Sequence, residues 1–163
     1  MALVLFVAGL MNLQAQSLKF GHVNSADLIA MMPETKAADT AQAKYRKSLE
    51  DQMKTMTAEY QNKLADYQTK VGTMQEAIKA TKEKELEDLG QRIQDFQQTA
   101  QESVQKKKEE LYSPILKKAE DAIKAIAKEK AYSYIFDTSA GVVLFAQPSD
   151  DIMSMVKTKL GIK

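Results

Sequence analysis

The 163-residue chain has no cysteine, one histidine, three prolines and six glycines. Without cysteine there are no disulfides, thiolate nucleophiles, iron–sulfur clusters or cysteine zinc sites, though the redox compartment stays open. His22 alone cannot build a His-rich metal site or a proton relay. So little Gly and Pro beside 44% hydrophobic residues is not the composition of a disordered or collagen-like chain. Charge of one sign is missing too: 23 Lys+Arg stand against 22 Asp+Glu, net +1, which gives no global attraction for nucleic acid. The carboxylates are spread along polar stretches and not paired for general acid–base work. These absences point away from an enzyme and leave no cofactor or metal to expect. The length suits one domain.

Leu3 to Leu13 is an apolar run broken only by Gly9 and Asn12. It is shorter than the roughly 20 residues a membrane-spanning helix needs. Leu13-Gln14-Ala15 follows with a small residue at its end, so residues 1–15 read as a signal peptide cleaved after Ala15. No Lys or Arg precedes Lys19, so the positive start of such a peptide is missing. The competing reading is a buried core helix. Cleavage leaves Gln16–Lys163, 163 − 15 = 148 residues, as the mature, exported protein.

Leu18 to Asn24 alternates with the strand period, placing Leu18, Phe20, His22 and Asn24 on one face and Val23 on the other. Asn24 or Ser25 suits the cap of a short helix carrying Leu28 and Ile29, and Pro33 suits the first turn of the next. From there apolar residues recur at Tyr45, Leu49, Met53, Met56, Tyr60, Leu64, Tyr67, Val71, Met74 and Ile78. Nine steps cover 78 − 45 = 33 residues, the eleven-residue period of a nearly straight or slightly right-handed coil. The stripe is narrow, so this helix buries one seam and shows water the rest.

Gly72 breaks the pattern, and Thr73 with Glu76 fits a capping box, so a turn falls between Thr69 and Lys82. A return helix then carries Leu86, Leu89, Ile93, Phe96, Ala100, Val104 and Leu111, with Lys107 in the skipped seam position. Pro114 is expected to end or kink it, with Ser113 extended. Ile115, Leu116, Ala119, Ala122, Ile123 and Ile126 give the wider apolar face of a helix packed in a body. Tyr132–Phe136 and Val142–Ala146, joined by Asp137-Thr138-Ser139-Ala140-Gly141, read as a β-hairpin. Ser149 or Asp150 caps a last helix with Ile152, Met153, Val156 and Leu160, ending at Gly161.

The expected fold is α+β, mostly α. A small β-rich oligomerisation body (16–32 and 114–163) carries a long antiparallel helical hairpin arm (33–113) with its tip near 69–82. Three strands and about 65 residues make a marginal core with exposed edges, so oligomerisation is expected.

This layout resembles the Skp/OmpH family of periplasmic chaperones over essentially all of the mature chain. The resemblance lies in the signal-like start followed by Lys19-Phe20-Gly21-His22-Val23-Asn24, in the Gln- and Lys-rich hairpin, in Tyr134-Ile135-Phe136-Asp137 with Val142 to Ala146, and in Leu111, Pro114 and Ile115 at the arm–body junction. It implies a homotrimer whose three arms enclose a cavity, holding unfolded outer-membrane proteins soluble without ATP. The arm departs from well-known members in charge. Glu34 to Tyr112 holds 14 Lys+Arg and 15 Asp+Glu where theirs is strongly basic, so cavity contacts are implied more than capture by charge or a membrane surface.

Met53, Met56, Tyr60, Tyr67, Met74, Ile93 and Phe96 are the candidate functional residues. They are either a client-facing surface, since thioethers and tyrosines adapt to many sequences, or the seam between the arm helices. Lys106-Lys107-Lys108 is followed at once by Glu109 and Glu110 and reads as a solvated face, not a lipid contact. The Thr138–Gly141 stretch has no phosphate-loop pattern around it and reads as a hairpin loop. The alternative function is a structural or adaptor hairpin docking one specific partner. A prefoldin-like chaperone would place strands between its helices, not outside them, and would not be exported.

Overall fold

The structure, a computed structural model, describes residues 18–162; the apolar leader and the cleavage position after Ala15 lie outside the described residues. A short strand, β1 (Phe20–Val23), leads into α1 (Ser25–Met31) and then α2 (Pro33–Lys70). A single 3₁₀ turn at Val71–Thr73 reverses the chain into α3 (Glu76–Glu129). The chain closes with β2 (Tyr134–Asp137), a 3₁₀ turn at Pro148–Asp150 and α4 (Met153–Leu160). The fold is therefore predominantly helical with a small two-stranded sheet. Among the described residues no helix is long and apolar enough to cross a membrane.

Local sequence accounts for most boundaries. Asn24 caps α1, its Oδ1 accepting from the Asp27 amide at 3.1 Å. Pro33 opens α2 where its missing N–H has no helical partner to lose. Gly161 ends α4 at φ 71°, a left-handed conformation that glycine adopts without a Cβ clash. Two caps differ from expectation. Thr73 does not form a capping box: its hydroxyl donates back to the Lys70 carbonyl at 3.0 Å, and Gln75 stands at the α3 N-cap. At α4 it is Asp151, not Ser149 or Asp150, whose carboxylate accepts from the Met153 amide at 2.7 Å.

Pro114 does not end the return helix, and Ser113 is helical; α3 runs through both for 54 residues. The buried stripe explains this. Leu111, Ile115, Ala119, Ala122 and Ile126 keep one helical phase across the proline, with Leu111 packed against the core and the other four buried in it. Pro114 removes one main-chain hydrogen bond at about 3 kcal/mol. Breaking the helix there would uncover Ile115 and Ile126, each contributing about 1.5–3 kcal/mol, and Ala119 and Ala122, each contributing about 0.8 kcal/mol. Burial wins.

The second correction concerns the sheet. The expected hairpin between 132–136 and 142–146 is absent. β2 pairs instead with β1, in parallel, in the register Phe20↔Tyr134, Gly21↔Ile135, His22↔Phe136 and Val23↔Asp137. Parallel strands need a crossover connection, and here the whole arm is that crossover. The delivery of β2 is local: Ala131 takes φ 53°, the Ser133 amide donates to the Lys19 carbonyl at 2.7 Å, and Lys19 Nζ sits 4.1 Å from the centre of the Tyr132 ring. Residues 142–146 are not a strand, and none of their main-chain groups pairs with another main-chain group among the described residues.

Val23, Leu28, Met32, Ala38, Ile115, Ala119, Ala122, Ile126, Ile152 and Val156 form the core beneath the sheet. Gly21 sits where β1 presses on it. A Cβ there would lie 2.9 Å from Tyr132 Cε1 and 3.2 Å from Ile152 Cγ2. Only hydrogen fits.

Candidate interaction surfaces

The first surface is the arm. Every one of Tyr45, Leu49, Met53, Met56, Tyr60, Leu64, Tyr67, Val71 and Met74 on the outgoing side is half-buried; Ile78, last in the spaced series, is exposed. On α3, Leu86 and Leu89 are buried, and Ile93, Phe96, Ala100, Val104, Lys107 and Leu111 are half-buried. All seven candidate residues are thus half-buried, and two of them, Tyr60 and Tyr67, stand against the facing helix. Tyr60 packs on Gly90, where a Cβ would stand 3.7 Å from its ring. Tyr67 donates its hydroxyl to Glu83 Oε1 at 2.5 Å, and this carboxylate pushes the phenol up to about 12. Lys107 occupies the seam position beside Glu110, 3.3 Å away. Of the large apolar side chains exposed among the described residues, only Ile78 belongs to the arm proper.

The second surface is on the body, and residue spacing showed only its parts. The outward face of the sheet carries Phe20, Tyr134 and Phe136 as a stack, with ring centres 5.8, 6.2 and 6.4 Å apart. Beside it Val142, Leu144 and Phe145 are 76%, 97% and 82% exposed. Between the stack and this segment lies an open cavity of about 350 Å³ lined by Phe20, Phe136, Val143, Phe145 and Ala146. The outer edge of β1 is partly occupied, since the Ile152 amide donates to the His22 carbonyl at 3.0 Å. Among the described residues the outer edge of β2 has no strand beside it.

What holds the exposed segment there is a polar knot missed by sequence reasoning. Asp137 accepts from the Ser25 amide at 3.1 Å, the Ser25 hydroxyl at 2.5 Å and the Ser139 amide at 2.9 Å. Burial pushes this carboxyl up, but the Ser25 hydroxyl and the Ser139 and Ser25 amides outweigh it and bring the group to about 2. The Thr138 amide donates to the Val23 carbonyl at 3.0 Å, turning the chain away from the β2 edge. At the far end His22 Nε2 lies 3.0 Å from the Gln147 carbonyl oxygen. The signal was present as Asp-Thr-Ser after an apolar strand, an Asx-turn pattern, but its partner Ser25 lies 112 residues away.

Comparison with known proteins fits this geometry. The family described as "Outer membrane protein (OmpH-like)" matches residues 19–160, nearly the whole described chain. The chain belongs to the OmpH-like family. A crystal structure from Caulobacter crescentus CB15, described as an OmpH-like outer membrane chaperone, superposes on this OmpH-like chain with a TM-score of 0.77. The two are 17% identical, and the match covers 88% of this chain and 83% of the other. That likeness is one of fold. No curated protein matches the sequence. Among the described residues no cluster of three or more His, Asp or Glu is placed to hold a metal ion.

Proposed function

We propose that this OmpH-like protein is an ATP-independent holdase of the periplasm. Copies assemble through their bodies, and their arms enclose a cavity in which unfolded outer-membrane proteins stay soluble. One observation carries the reading: the single chain leaves an apolar face on its body uncovered while its long arm reaches away from that body. A face joining Phe20, Tyr134 and Phe136 to Val142, Leu144 and Phe145 is far from the scattered apolar exposure of an ordinary monomer. Among the described residues, β2 beside it has a free strand edge and residues 142–146 are five residues of main chain without main-chain partners. A second copy supplies what each lacks. Such head-to-tail contacts close into rings, in keeping with the homotrimer that family resemblance implies.

The 38-residue α2 extends about 57 Å, so arms from several bodies surround a volume that no single body offers. Binding is weak per contact and multivalent, because several arms raise the effective concentration around one client. Met53, Met56, Tyr60, Tyr67, Met74, Ile93 and Phe96 are the proposed contact residues, half-buried in the seam and half available to an unfolded chain. The description of the Caulobacter neighbour as an outer membrane chaperone supports this reading.

The test dilutes a urea-unfolded outer-membrane barrel into buffer with the chain lacking residues 1–15 and no nucleotide, following light scattering. Suppression near one oligomer per barrel is the expected result. Aggregation at the rate of the barrel alone overturns it.

A further inference from the structure

The polar contacts that tie α2 to α3 are unevenly placed. At the base, Lys118 pairs with Glu34, the Tyr112 hydroxyl donates to Asp39, and Gln42 Nε2 donates to the Val104 carbonyl at 3.0 Å. Toward the tip, Lys63 stands 3.8 Å from Glu85 and Tyr67 donates to Glu83. Between Tyr45 and Tyr60 no hydrogen bond or ion pair crosses the arm among the described residues. That stretch is held by its seam alone. Counting seam positions from the Tyr60–Gly90 contact places Met56 level with Ile93 and Met53 level with Phe96. Gly90 adds no side chain to the contact and lowers local helix propensity.

So the one section without polar ties is closed by two thioethers, both half-buried and therefore reachable from solvent. The chain has neither cysteine nor tryptophan, which leaves methionine sulfur as its most readily oxidised side-chain atom.

We propose that Met53 and Met56 form a modification site for two-electron oxidants, of the hypochlorous acid or peroxide class, and that their oxidation opens the middle of the arm. With hypochlorous acid, the sulfur lone pair attacks chlorine and water then displaces chloride. The net change is thioether plus hypochlorous acid to sulfoxide, proton and chloride, with sulfur losing two electrons and chlorine gaining two. With peroxide the products are sulfoxide and water.

A sulfoxide is a strong hydrogen-bond acceptor, and the side chains level with it across the seam offer it no donor. Ile93 and Phe96 are apolar, and the helix N–H groups are already paired. Keeping the oxygen in the seam leaves it unsatisfied, so the helices part locally and hydrate it. Leu49, Ile93 and Phe96 are then uncovered, while the polar ties at base and tip keep the arm whole. Sulfoxide reduction restores the seam. Met31, 45% exposed, is open to the same oxidants but closes no seam, and Met32, 2% exposed, serves as the internal control for protection.

The experiment treats the purified chain with increasing hypochlorous acid, maps sulfoxides by peptide mass and measures amide hydrogen exchange. Met53 and Met56 are expected to oxidise at least tenfold faster than Met32. Exchange in residues 49–60 and 89–100 is expected to rise at least tenfold, with 34–42 and 112–126 unchanged. A Met53→Leu/Met56→Leu chain, oxidised to the same degree elsewhere, should show no such rise. The inference fails if Met53 and Met56 react no faster than Met32. It fails equally if they oxidise while mid-arm exchange stays level, or if the double variant opens as the unmodified chain does.

Discussion

Leu144→Asp tests assembly through the body apart from the body's own fold. In the single chain Leu144 is 97% exposed, so it contributes almost nothing to the packing of its own protomer. Covered by a second copy it becomes central. Burying Val142, Leu144 and Phe145 contributes about 1.5–3 kcal/mol each, so roughly 5–9 kcal/mol per copy before the losses of association are subtracted. The substitution removes about 2 kcal/mol of that gain and asks a carboxylate to leave water, which costs several kcal/mol more unless it finds a partner. A loss of about 4 kcal/mol per contact weakens assembly about a thousandfold. Sedimentation at micromolar concentration should find the variant as monomer, with far-ultraviolet circular dichroism still that of a mostly helical chain. If the variant sediments as the unmodified protein does at equal concentration, the 142–145 face is not an interface.

Three further expectations concern the single chain. Gly21→Ala drives a methyl into the Tyr132 ring and Ile152 and should lower stability by about 1–3 kcal/mol in urea titrations. Gly90→Ala meets only Tyr60 at an ordinary distance, so it should stabilise the arm by about 0.5–1 kcal/mol and slow amide exchange there. Asp137→Asn loses an ionised acceptor. Because the carboxyl is held at about 2, below its ordinary 3.8, its contribution is present above pH 4 and fades as pH falls through 2. Screening by solvent at this exposed site leaves about 1 kcal/mol. The two chains should differ in urea midpoint at pH 7 and converge near pH 2.

The arm was legible because its information is local. Residues three and four apart on a helix share a face, so Tyr45 to Met74 announced one seam without reference to anything distant. Pro33 and Gly161 acted where fixed or free backbone dihedrals act, within a residue or two. The seven candidate residues were read as seam or client surface; in the structure all seven are half-buried.

Other features depended on the whole molecule. The helix end expected at Pro114 and the extended Ser113 did not occur, because the stripe from Leu111 to Ile126 had four buried side chains to lose. The hairpin expected from two neighbouring apolar runs gave way to a pairing across 114 residues, Phe20 with Tyr134. Sequence by itself determined that a Gly- and Pro-poor middle forms two long helices that turn back on each other. Tertiary structure alone decided that β1 and β2 run parallel, that Asp137 reaches Ser25, and that Val142, Leu144 and Phe145 face outward. Strand pairing is set by which ends the packed helices bring together, and no spacing along the chain records that.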